Sequence, residues 1–186
     1  MQLEAGEPGE IRRFEEIVLP HLHAAYNLAR WLVRDPQNAE DVVQEACLRA
    51  VKFFGGYRGG DGRAWLLRIV RNAAYSFLEK NRPVELAEEF DETLYIAATV
   101  PESDAEALLL RSAENRMLQE ALEGLPVRFR EALILRELED LSYREIAAVM
   151  EIPIGSVMSA LARGRERLRE QILQAREKEM QRGLRR

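Results

Sequence analysis

Residues 141–168, LSYREIAAVMEIPIGSVMSALARGRERL, decide the fold of the C-terminal half of this chain. Ser142 followed three residues later by Glu145 is a capping box, which starts a helix by satisfying its first free N–H groups. Ile146, Ala147, Val149 and Met150 recur at helical spacing and give that helix an inner face. Glu151-Ile152-Pro153 ends it, because proline and the residue before it resist helical continuation. Ile154, Val157, Leu161 and Leu168 then seat a second helix, while Gly155, Ser159, Ala162 and Arg163 point away from that stripe. Short helices over residues 142–150 and 154–180 around this tight turn predict a helix-turn-helix whose second helix enters a major groove. Small residues permit close approach, Ser159 can hydrogen-bond, and Arg163 can hold a base edge or a phosphate. A generic helical hairpin shares the apolar spacing; the polar face is what favours the DNA reader.

Upstream, helical periodicity continues over residues 115–123 and 127–137 and completes a second helical block. The first block predicts helices over residues 11–33, 37–54 and 64–80, with Asp35-Pro36 as the first break and FGGYRGGDGR as the loop before the third. In the middle helix Ala39, Val42, Val43, Ala46, Cys47, Ala50, Val51 and Phe54 form the predicted core stripe. Opposite it lie Asp41, Gln44, Glu45, Leu48 and Lys52. A leucine ringed by carboxylates and an amide suits protein docking, although one exposed leucine is ordinary.

The third helix buries Leu66, Ile69, Val70, Ala73 and Phe77 and shows Trp65, Arg68, Asn72, Tyr75 and Ser76 on its other side. Aromatic, guanidinium and amide groups on one face suit single-stranded nucleic acid: rings stack on bases, arginine holds phosphate, and an amide reads a base edge. Tyr57, Arg58 and Arg63 in and beside the glycine loop extend that surface. The alternative is that Trp65 and Tyr75 simply pack on a neighbouring helix. The loop superficially resembles a phosphate cradle, but the missing Gly-Lys-Ser/Thr ending and the absence of a preceding strand argue against a nucleotide-binding P-loop.

Composition supports an all-helical reading with little Gly/Pro punctuation. The 186-residue chain carries a net charge of −5, but unevenly. Residues 10–82 hold twelve Lys/Arg against nine Asp/Glu, residues 83–110 hold eight acidic groups and no basic one, and residues 163–186 hold nine basic against four acidic. The acidic middle lacks sustained periodicity and reads as a flexible linker. Expected boundaries are a disordered N-terminus at 1–9, a first domain at 10–82, the linker at 83–112, the helix-turn-helix domain at 113–181 and a basic tail at 182–186. No apolar run is long enough to span a bilayer and no secretory signal opens the chain, which points to a cytoplasmic protein without membrane insertion. The single cysteine, Cys47, reads as core filler. His21 and His23 cannot share a helix face, and no nucleophile–base pair accompanies them; catalytic residues, metal ligands and cofactors are all expected to be absent.

DPQNAEDVVQEACLRAVKFF at 35–54, YRGGDGRAWLLRIVRNAAYSFLEKNR at 57–82 and the segment 120–170 ending in the helix-turn-helix occur in one order. Together they resemble the extracytoplasmic-function group of the sigma-70 family, over roughly residues 14–82 and 118–173. The resemblance implies two small helical domains, similar to sigma regions 2 and 4, joined by the flexible acidic linker. It implies that Asp41, Gln44, Glu45 and Leu48 bind core RNA polymerase on the clamp helices of its largest subunit. It implies −10 promoter contacts from Tyr57, Arg58, Arg63, Trp65, Arg68 and Asn72, with Asn72 at a position that meets a flipped-out base. It implies −35 contacts from Arg136, Ser156, Met158, Ser159 and Arg163, and control by an anti-sigma factor. The chain departs from its relatives at Met158, Ala160 and Ala162, where they carry longer side chains, and at Glu151, where they often carry glycine. Without the resemblance, an autonomous helix-turn-helix regulator and a non-DNA helical adaptor stay open; an enzyme is the weakest reading.

Overall fold

The computed structural model describes residues 8–81 and 116–183. Every regular element among them is helical. The first block comprises α1 (Pro8–Val18), α2 (Leu22–Val33), α3 (Pro36–Phe53) and α4 (Gly62–Lys80). The expected single helix over 11–33 is two helices, because Pro20 supplies no N–H donor and the chain makes a 3-10 turn at Leu19–His21. Arg34 closes α2 in a left-handed conformation, φ 66°, and Asp35 caps α3 by accepting from the Asn38 N–H at 2.8 Å. Pro36 follows at the first helical position, where its missing donor costs nothing.

α2, α3 and α4 pack on one another around Leu28, Leu66 and Leu67, all fully buried. Each such side chain contributes about 1.5–3 kcal/mol over its exposed state. Ala39, Val42, Ala46 and Ala50 line the inner side of α3 as expected, and Val43 and Cys47 are half-buried. Val51 departs from the expected stripe: it is 48% exposed, since Phe54 turns inward and closes the core at that end. On α4, Ile69 and Phe77 are only half-buried, whereas Leu67 and Ala74 are core residues.

The second block comprises a helix at residues 116–123 (α5), α6 (Val127–Leu133), α7 (Tyr143–Met150) and α8 (Ile154–Gly183). The expected helix over 127–137 is α-helical only to Leu133 and widens into a π turn at Ile134–Leu138, where Glu139 N–H donates to the Ile134 carbonyl at 3.1 Å. α6 packs on α8 through Gly164, where an added Cβ would lie 3.2 Å from Leu133. The two blocks also pack together, chiefly α4 on α7 and α2 on α6, and share one apolar core. The expected linker, residues 83–112, lies outside the described residues, as do 1–7 and 184–186; of the expected terminal segments, residues 8–9 open α1 and residues 182–183 close α8.

Candidate polymerase and nucleic-acid interfaces

The α3 face holds Asp41, Gln44, Glu45 and Leu48 together, all exposed, with Leu48 at 64%. Glu45 pairs with Arg49 across one turn at 2.7 Å, which leaves the leucine unobstructed. Val51 lies one turn beyond Leu48 and enlarges the apolar patch, a neighbour that the sequence pattern assigned to the core. Cys47, on the flank of this helix, has its thiol pushed up by burial, in keeping with an inert filler.

The α4 surface begins at a cap: Asp61 accepts from the N–H groups of Arg63 at 2.9 Å and Ala64 at 3.2 Å. Gly59 and Gly60 before it have φ of 89° and 103°, a conformation that costs a residue with a Cβ 1–2 kcal/mol, about. Tyr57 donates its hydroxyl to the Gly60 carbonyl at 2.8 Å. Its ring lies 5.9 Å from Phe54 and 5.0 Å from Trp65, and Phe14 meets Phe54 edge-on at 5.2 Å. Tyr57 and Trp65 therefore form one aromatic wall, while Arg58, Arg68 and Asn72 stand exposed around it.

Not all of the expected face is free. Tyr75 packs on the second block, donating its hydroxyl to Glu131 Oε2 at 2.9 Å, and Ser76 donates to the Asn72 carbonyl at 2.9 Å. Arg63 is ion-paired with Glu139. Trp65 and Arg68 line a cleft whose opposite wall is Arg144, Glu145 and Ala148 of α7. Tyr75 is thus packed against a neighbouring helix, whereas Trp65 is half-buried and keeps one side on the cleft.

The helix-turn-helix forms as its sequence dictates. Ser142 Oγ accepts from the Glu145 N–H at 3.3 Å while Glu145 Oε2 accepts from the Ser142 N–H at 2.5 Å. Glu151 occupies the left-handed region, φ 55°, at the turn, and α7 and α8 diverge by 100°. Val157, Ala160 and Leu161 are buried against α6 and α7; Gly155, Met158, Ser159, Ala162 and Arg163 are exposed and Ser156 half-exposed. Ile154, expected in the seam, is 41% exposed, because it precedes the first turn that touches the core. Ala160 is 1% exposed and packs inside the helix-turn-helix, so a longer side chain there would have to displace core neighbours. Arg136 sits apart from the exposed row: it donates to the Leu141 carbonyl at 2.7 Å and lies 5.6 Å over the Tyr143 ring, bracing the entry to α7.

Three polar residues are buried in the second block: Arg130, Glu131 and Glu139. Arg130 donates to the carbonyl of Glu123 at 2.9 Å, at the end of α5. Burial, reinforced by the Arg34 charge, pulls its guanidinium down to about 10. Burial likewise pushes the Glu131 carboxyl up, opposed by Arg71 and by the Tyr75 hydrogen bond. Among the described residues no cluster of three or more His, Cys, Asp or Glu groups could hold a metal ion, and no single helix is long and apolar enough to cross a membrane.

A helical DNA reader joined to a separate aromatic and cationic face defines the class: a two-domain helical transcription protein. Residues 17–84 match the sigma-70 region 2 family and residues 115–168 match the sigma-70 region 4 family. The chain is 34% identical over 170 residues to the RNA polymerase sigma-H factor of Pseudomonas aeruginosa, covering 88% of each. It is 33% identical over 173 residues to the ECF RNA polymerase sigma-E factor of Escherichia coli, again covering 88% of each. In structure it is similar to the sigma factor RpoE of Bartonella quintana, solved in complex with the anti-sigma factor NepR, with a TM-score of 0.67 and 29% identity over 87% of this chain and 97% of that one. CnrH, solved with the cytosolic domain of CnrY, shares the fold at a TM-score of 0.62, 24% identity and 92% coverage of both chains. The chain belongs to the extracytoplasmic-function group of the sigma-70 family.

Proposed function

We propose that this chain is the promoter-recognition subunit of a bacterial RNA polymerase, binding core enzyme, recognising −10 and −35 elements and promoting DNA melting. Its polymerase contacts are Asp41, Gln44, Glu45 and Leu48, docking on the clamp helices of the largest subunit. The −10 strand is read by Tyr57, Arg58, Arg63, Trp65, Arg68 and Asn72, and the −35 duplex by Ser156, Met158, Ser159 and Arg163, with Arg136 acting at the edge of that surface. The domains run over residues 10–82 and 113–181, and the protein works in the cytoplasm as a non-catalytic factor without cofactor or metal. The structural likeness to an anti-sigma complex supports control by an anti-sigma factor.

The observation that carries this reading is that one chain pairs an exposed recognition-helix row of Ser159, Ala162 and Arg163 with a second surface of Arg68 and Asn72 beside an aromatic wall. Unpairing and flipping bases costs a few kcal/mol, about what stacking on one or two rings returns. With a net charge of −5, the free chain gains little from phosphate attraction. Core polymerase makes the two weak contacts cooperate by raising their effective concentration. An autonomous regulator would leave the Leu48 patch and the Asn72 face without purpose. Run-off transcription with purified core polymerase on a promoter library tests the reading: promoter-specific transcripts are expected, and failure of the chain to bind core or start transcription overturns it.

A further inference from the structure

The exposed row of α8 is chemically divided. Val157, Ala160 and Leu161, none more than 1% exposed, fix the rotation of the helix against its neighbours. With that side buried, about 100° of turn per residue sets Met158 and Ala162 in one outward strip and Ser159 and Arg163 in another beside it. The second strip is polar. Arg163 carries guanidinium donors, and Ser159, whose Oγ donates to the Ser156 carbonyl at 3.0 Å, keeps lone pairs that can accept. The first strip offers no N–H or O–H at all, and its principal member, Met158, is 54% exposed.

A thioether chain on a DNA-reading face narrows what it can face. Against a phosphate, or against the amino and carbonyl edges of a base, it displaces water and returns no hydrogen bond, which costs free energy. One major-groove group is apolar: the methyl on C5 of thymine. Methionine is unbranched, with three rotatable bonds and a polarisable sulfur, and so fits itself to a small apolar bump. Gly155, one turn earlier, lets the helix come close. A Cβ added there would meet nothing within 4 Å, so packing does not require the glycine, and its missing side chain leaves the approach to the groove open. Ala162, one turn later, adds a methyl to the same strip without covering Met158.

We propose that Met158 is a methyl reader, giving this chain a preference for thymine at the base pair of the −35 element that faces the first turns of α8. This rests on the promoter-reading function above and adds its sequence preference. Met158 responds to a methyl group and not to a hydrogen-bonding pattern. Deoxyuridine therefore fails where thymine succeeds, and 5-methylcytosine binds better than cytosine at the same place.

The test uses holoenzyme assembled from the full chain and core polymerase. A promoter is selected from a library randomised over the −35 element. Each thymine of its −35 duplex, on either strand, is then replaced singly by deoxyuridine, which keeps the hydrogen-bonding edge and loses only the methyl. Competition binding is expected to show one thymine whose methyl is worth about fourfold in affinity, the effect of burying one such group. With that thymine changed to cytosine, 5-methylation of the cytosine is expected to strengthen binding by a similar factor. Met158→Leu, still apolar and of similar volume, should keep the distinction between thymine and deoxyuridine. Met158→Ala and Met158→Gln should lose it, and circular dichroism shows whether each variant keeps its helices. Three results overturn the methyl reading: a selected element without thymine, binding indifferent to every deoxyuridine, or a methyl effect that persists unchanged in the folded Ala and Gln variants. Absence of any promoter-specific binding refutes the promoter-reading function and the methyl reading with it, whereas specific binding blind to the methyl refutes the methyl reading alone.

Discussion

Replacing Leu48 by Asp isolates the polymerase contact from the fold. Leu48 is 64% exposed, so most of its side chain meets no other part of the chain. Sealing it under a partner is worth up to about 2–3 kcal/mol. An unpaired carboxylate trapped in its place costs a further few kcal/mol. The sum, about 5 kcal/mol, weakens association with core polymerase by on the order of a thousandfold or more. Stability should change little, because an exposed helical position tolerates the exchange to within about 0.5 kcal/mol. The assay is titration of a dye-labelled chain with purified core polymerase, paired with thermal unfolding of the free chain. If Leu48→Asp binds core within tenfold of the parent at an unchanged melting temperature, the α3 face is not the docking surface.

Asn72→Ala should leave core binding intact and slow promoter opening, measured by permanganate footprinting; an unchanged open complex removes Asn72 from the −10 contacts. Arg163→Ala should lower holoenzyme affinity for duplex −35 DNA by about 1–3 kcal/mol if the side chain reads a base, or equally across sequences with a shallower salt dependence if it holds a phosphate. Competition binding at two salt concentrations distinguishes those outcomes. Glu151→Gly should raise stability by up to about 1 kcal/mol, because Glu151 holds φ 55° in a region that only glycine enters freely. Denaturant unfolding checks this, and a loss of stability would mean that the turn is held by the glutamate side chain.

The helix-turn-helix was legible in residues 141–168 because its determinants are local. Ser142 and Glu145 cap within one turn, Pro153 blocks continuation, and the apolar spacing allows one inner face. The two main faces of α3 were legible for the same reason. What sequence reasoning missed depends on neighbours. Pro20 was absorbed into a long helical pattern, although its missing donor was the available signal for a break. Val51 and Ile154 fit the periodicity yet lie beyond the last partner that could bury them.

Sequence by itself determined that this chain is helical, where its helices are capped and which side chains carry nucleic-acid chemistry, since those follow from backbone donors and from a 3.6-residue repeat. Only the tertiary structure decided that Arg63, Arg71 and Tyr75 are occupied by Glu139 and Glu131, which lie 76, 60 and 56 residues further along the chain. No local pattern encodes such a pairing. It arises because a carboxylate buried between two domains must find its donors wherever the packing brings them.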